Sequence, residues 1–121
     1  MTTFSAYRGD DFDEPFALDN GWLSTNFDEF WFTVRSAIPA SSVLDDTDAA
    51  VLAQVRFTGA SPGITFDVDN ITGHVHIDKD VTRTWPATRL FWDLQGRLTT
   101  GKVKTLNSGE IRVKGDVTRS Q

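Results

Sequence analysis

The chain of 121 residues contains no cysteine. That excludes a disulfide framework, thiolate catalysis and a zinc-thiolate centre. It also lacks an apolar run near the ~18 residues that cross a bilayer as a helix, and no basic, then apolar leader follows Met1. A soluble, unprocessed protein with no membrane partner is the expectation. Positive charge is scarce: 12 Lys and Arg face 17 Asp and Glu, a formal charge of −5. Phosphate backbones reward a basic surface, so nucleic acid is not an expected partner. No Gly-x-Ser-x-Gly elbow occurs and neither histidine sits in a triad context, so no catalytic residue is assigned and an enzyme is not expected. Repeats, linkers and low-complexity tracts are missing too, and residues 1–121 read as one domain.

What the chain does have is aromatics, four Trp and nine Phe, set in short alternating segments. Glu29 to Ser36 places Phe30, Phe32 and Val34 on one face and Trp31, Thr33 and Arg35 on the other, the period of a strand. Val51 to Phe57, Ile64 to Val68 and Thr72 to Ile77 repeat the alternation, and weaker segments lie at Thr3 to Tyr7 and Glu14 to Leu18. Breakers separate them: Asp19-Asn20-Gly21, the stretch from Ile38 to Ser42 around Pro39, and Thr58 to Gly63. Asp45 to Ala50 could cap one helical turn, and Asp78 to Pro86 reads as a loop with at most one more. Towards the C-terminus, Leu90 to Gln95 alternates until Gly96. Gly101 to Leu106 and Ile111 to Arg119 then read as a hairpin across Asn107-Ser108-Gly109. The predicted fold is all-β, an antiparallel Ig-like β-sandwich of about eight to nine short strands with at most one or two short helical turns.

Tyr7-Arg8-Gly9-Asp10-Asp11-Phe12, Phe30 to Ser36, Trp92 to Gln95, Thr105-Leu106, Gly109 and Asp116 to Arg119 carry a resemblance. Together they resemble the small β-sandwich domain of tailed-phage virion proteins, most of all the N-terminal domain of the siphophage baseplate upper protein family. The resemblance implies a non-enzymatic structural component of a tailed bacteriophage virion, in its tail, baseplate, neck or capsid. Such a protein is made in the host cytoplasm and docks other virion proteins as a homo-oligomer or in many copies. It also implies that Arg8-Gly9-Asp10 is a structural turn before the first core strand. Members of that family continue into further domains, whereas this sequence stops at Gln121, so the expectation is a decoration or collar protein, or a separate subunit onto which another chain docks.

Charge is uneven along the chain. Residues 1–50 carry two bases and ten acids, whereas residues 51–121 carry ten bases and seven acids. Unlike surfaces of this kind can stack head to tail. The candidate interface residues are therefore the outward aromatics Trp31, Trp85 and Trp22, the acids Asp11 and Asp13, and the bases Arg112 and Lys114. The alternative is a glycan-binding, host-attachment module that uses the same tryptophans as stacking platforms. Asp10 to Glu14 reads either as a calcium or basic-partner site or as a solvated edge that deters aggregation. His74, His76 and Asp78 share a strand face and could take a metal, or could simply be its solvated side. Asp67 to Asn70 lacks the later residues of an EF-hand and reads as a turn. No metal or cofactor is expected.

Overall fold

The computed structural model describes residues 2–18, 21–36, 51–58, 63–86 and 88–114. The expected loop at 38–42, the helical turn at 45–50 and the segment after Lys114 lie outside them, as do Asp19-Asn20 and much of the turn before Gly63. Eight strands are present among the described residues: β1 (Thr2–Tyr7), β2 (Phe12–Ala17), β3 (Phe27–Arg35), β4 (Val51–Arg56), β5 (Ile64–Phe66), β6 (Thr72–Ile77), β7 (Arg89–Leu98) and β8 (Val103–Lys114). A 3-10 turn at Ser24–Asn26 and one α-helical turn, α1 (Lys79–Thr82), are the helical pieces.

The strands form a five-stranded sheet in the order β1-β8-β7-β3-β4 and a three-stranded sheet in the order β2-β6-β5. Pairing is antiparallel except that β1 runs parallel to β8. In chain order, β8-β7-β3-β4 and β2-β6-β5 divide as the G-F-C-C′ and B-E-D strands of a variable-type immunoglobulin domain do. The fold is an Ig-like β-sandwich, as expected.

Alternation decides what each strand buries. Phe30, Phe32 and Val34 from β3 meet Leu90, Trp92 and Leu94 from β7 and Ile111 and Val113 from β8, while Phe12, Phe16, Val75, Ile77 and Ile64 come from the facing sheet. Where antibody domains place a disulfide between strands B and F beside a tryptophan, this cysteine-free chain stacks rings. Phe32 lies 5.1 Å from Trp92 at 14°, Phe4 covers the indole at 5.1 Å, and Phe12 approaches Phe32 at 6.3 Å. Such pairs add about 0.5–1.5 kcal/mol each beyond their burial.

The C-terminal reading needs correcting. Asn107-Ser108-Gly109 is not a turn but lies inside the 12-residue β8. The reversal comes earlier, at Thr99 to Lys102, where Gly101 takes φ +99° and Leu98 N–H donates to the Lys102 carbonyl at 2.7 Å. Leu94 pairs with Asn107 and Gln95 with Thr105. Leu106 is therefore an extra residue, a β-bulge that keeps it on the core side. Gly96 does not end β7 either. A Cβ there would lie 2.7 Å from Phe27 Cδ1 and 3.0 Å from Leu106 Cδ1, so glycine is what lets Phe27 close over the strand.

Trp85 is the second correction. It was expected in a loop with its ring available to a partner, yet it is fully buried. Asp78 caps α1 by accepting from Asp80 N–H at 3.0 Å, and Trp85 N–H then donates to the Thr82 carbonyl at 3.0 Å. This short coil turns the indole into the end of the sandwich, against Phe12 at 5.9 Å. An aromatic flanked by Pro86 looked like a loop residue because a single helical turn has too few residues to show a period.

Candidate functional site

The outer face of the five-stranded sheet is the most distinctive surface. On β3 it presents Trp31, Thr33 and Arg35, opposite Phe30, Phe32 and Val34 as the alternation implies, yet they are only 8%, 0% and 3% exposed. A polar belt crosses the strands beside them. Gln54 Nε2 donates to Thr33 Oγ1 at 3.0 Å, Arg35 Nε lies 4.0 Å from Asp93 Oδ2, and Gln95 Nε2 donates to Thr105 Oγ1 at 3.3 Å. Burial raises the Asp93 carboxyl above its ordinary range, against the pull of Arg35. Sequence reasoning missed this belt, since strand alternation assigns polar residues to solvent without asking whether solvent reaches them.

Trp31 does lie on the outer face as expected, but two guanidinium groups cover it, Arg56 at 5.2 Å and Arg97 at 5.7 Å from the ring centre. A carboxylate lies beside each arginine. Arg97 Nε is 2.7 Å from Asp28 Oδ1, and Arg56 Nε is 3.7 Å from Glu29 Oε2. Glu29 itself is buried and accepts from the N–H groups of Phe30 and Thr58, 2.9 and 3.0 Å away, and from the Thr58 hydroxyl. Burial alone would raise its pKa; these hydrogen bonds and Arg56 outweigh it and leave it lowered.

Farther along the same face, Arg112 and Lys114 are exposed on β8, with Lys114 5.6 Å from the ring of the half-exposed Tyr7. Arg56, Arg89 and Arg97 are exposed on it as well, and Glu110, 4.0 Å from Arg89 Nε, offsets part of the charge. The outer side of the three-stranded sheet is opposite in sign. Asp13 and Asp67 lie on it, and Asp11, Asp69, Asp78 and Asp80 surround its ends, all exposed. Exposed charge is thus shared unevenly between the two outer faces, though not by halves of the chain: Asp67, Asp69, Asp78 and Asp80 come from the basic half, Asp28 of the acidic half lies beside Arg97 on the basic face, and Lys79 and Arg83 lie in α1 and just after it.

The other candidates have definite places. Trp22 is partly buried and packs edge-on against Phe27 at 5.3 Å, at the rim of the core. Arg8-Gly9-Asp10 is a turn: Gly9 has φ +93°, Asp10 N–H donates to the Tyr7 carbonyl, and Thr82 Oγ1 bridges Gly9 N–H and the Asp10 carbonyl. Asp67 to Asn70 is also a turn. Asp69 accepts from the Ile71 and Thr72 N–H groups, which with the Thr72 hydroxyl lower its pKa, and Asn70 takes φ 59°. His74 and His76 share the outer face of β6 as expected but face different acids. His74 Nδ1 lies 3.7 Å from Asp67, and His76 Nδ1 lies 2.6 Å from Asp13. The Asp13 hydrogen bond raises the His76 pKa.

No protein-family model matches the chain, and no curated protein does. Among solved structures it is similar to a point mutant of the SrpA adhesin from Streptococcus sanguinis, with 16% identity and a TM-score of 0.48 over 98% of this chain. The chain spans 57% of that adhesin chain. It is similar also to the extracellular domain of the voltage-gated sodium channel beta4 subunit, at 13% identity and a TM-score of 0.35, covering 94% of this chain and 89% of the other.

Proposed function

We propose that the protein is a non-enzymatic docking domain that assembles through its two charged faces. The observation that carries this reading is the unequal exposed charge of the two sheets: Arg56, Arg89, Arg97, Arg112 and Lys114 against Asp28 and Glu110 on one outer face, Asp13 and Asp67 on the other. Each face is unlike itself and complementary to its opposite. Head-to-tail contact between copies follows, with the basic face of one against the acidic face of the next, a geometry that closes into rings or continues as a stack. Tyr7 and Val103, 48% and 43% exposed on the basic face, supply apolar contact there. The setting we propose is a tailed-phage virion, on the strength of the sequence resemblance, where many copies multiply weak contacts.

Glycan stacking has less to work with. Trp85 is in the core, Trp22 is at the rim of it, and Trp31 lies under two arginines.

A charge swap tests the docking reading. Arg112→Glu with Lys114→Glu reverses one face, and Asp13→Lys with Asp67→Lys reverses the other. Each double variant alone should lose self-association, and an equal mixture should regain it, because each reversed face then meets an opposite one. Self-association of either variant at the wild-type level would overturn the proposal.

A further inference from the structure

Beside the acidic face, three side chains from two segments distant in sequence converge. Asp11 precedes β2, His76 lies on β6 and Asp78 caps α1. One donor atom from each lies within 4.8 Å of the others. We propose that Asp11, His76 and Asp78 form a binding site for a divalent transition cation of the zinc or manganese type.

The donor set argues for this class of ion. One imidazole nitrogen with two carboxylate oxygens suits zinc, whose ligands include both, and the two carboxylates suit manganese, whereas calcium and magnesium take oxygen throughout. An ion at the centre of the three atoms would lie within about 2.8 Å of each, and a contraction of under 1 Å reaches the ~2.0–2.2 Å of zinc bonds to nitrogen and carboxylate oxygen.

Each ligand is also held by an atom of its own. Asp11 Oδ1 accepts from Lys79 N–H at 2.8 Å, and Asp78 Oδ2 accepts from Asp80 N–H at 3.0 Å, which leaves each carboxylate a second oxygen for the ion. Asp13 Oδ1, 2.6 Å from His76 Nδ1, does the same for the ring. A carboxylate bonded to one imidazole nitrogen fixes the tautomer and orientation of a ligating histidine and strengthens the other nitrogen as a donor. The row expected from strand spacing, His74 with His76 and Asp78, is not the one that forms: His74 lies instead beside Asp67. Asp11, 65 residues before His76, takes its place. All three side chains are exposed, so solvent reaches the cluster and can complete the shell.

The site is independent of the docking proposal and is tested on the isolated protein. After dialysis against chelator, calorimetric titration with zinc chloride and with manganese chloride should show saturable binding of one ion per chain. His76→Ala should lower the affinity at least tenfold, and Asp11→Asn and Asp78→Asn should each weaken it while keeping their backbone acceptors. Asp13→Asn should weaken it about tenfold by loosening the ring, the range found for such supporting groups. His74→Ala, on the same face but outside the cluster, should change affinity less than twofold. Circular dichroism confirms that each variant is folded. No saturable binding of either metal below 1 mM, or binding that His76→Ala leaves intact, would overturn the proposal.

Discussion

Replacing Phe32 by Ala tests whether stacked rings do the work of the missing disulfide. Phe32 is fully buried, lies flat on Trp92 at 5.1 Å and faces Phe12 at 6.3 Å. Deleting a buried Phe ring typically costs about 3–5 kcal/mol through lost transfer energy and the cavity left behind. At that centre the cavity touches both sheets, and neither can close without shifting Trp92, so the upper part of the range applies. A small domain has about 5–15 kcal/mol in all. With a urea slope of about 1–3 kcal/mol/M, the unfolding midpoint should fall by about 2 M, read by far-UV circular dichroism. The stacking itself is isolated by a cycle of Phe32→Leu, Trp92→Leu and the double variant, which should give a coupling of about 0.5–1.5 kcal/mol. A Phe32→Ala loss below about 1.5 kcal/mol, or a coupling of zero, would refute the reasoning.

Gly96→Ala should destabilise by about 1–3 kcal/mol, since its Cβ would meet Phe27 Cδ1 at 2.7 Å and force the ring off its site; a smaller residue at Phe27, such as Leu, should recover part of the loss in the same urea assay. Glu29→Gln keeps an acceptor but loses the charge, and should cost about 1–2 kcal/mol at neutral pH. Glu29 has a folded pKa below its ordinary value. Its stabilisation is therefore complete above the unfolded pKa and disappears as pH falls through the folded one. Wild type and Glu29→Gln should accordingly differ at pH 6 and converge on acidification. A gap that widens towards acid would contradict this assignment.

Strands with strong period-2 patterns were legible before any coordinates. Phe30, Phe32 and Val34 on β3, Val75 and Ile77 of β6, and Leu90, Trp92 and Leu94 on β7 all face the core as their spacing implied. Punctuation by glycine was less reliable. Gly96 and Gly109 looked like ends of strands, yet both lie inside them. The reason at Gly96 is a ring from another strand, which no local pattern reports. The bulge at Leu106 likewise depends on the partner strand.

The candidate site was legible only in part. The two faces do not follow the halves of the chain: Asp11 and Asp13 reach the acidic face from residues 1–50, but Asp67, Asp69, Asp78 and Asp80 come from the more basic residues 51–121, and Asp28 of the acidic half lies beside Arg97 on the larger sheet. Trp85 and the polar belt of Thr33, Arg35 and Gln95 were not legible. Their burial depends on what packs over them in three dimensions, and alternation gives only a direction. Asp11 was picked out for its charge, while its approach to His76 depends on how the Arg8-Gly9-Asp10 turn is fastened to Thr82.

Light scattering of the wild-type protein in low and high salt tests the docking proposal most directly. Screening shortens the reach of exposed charges from about 30 Å at 0.01 M to about 3 Å at 1 M ionic strength. Contact between the basic and acidic faces predicts a multimer in low salt whose mass falls towards that of a 13.5 kDa chain as salt rises. A monomer at every salt concentration, or a multimer that salt leaves unchanged, would contradict it.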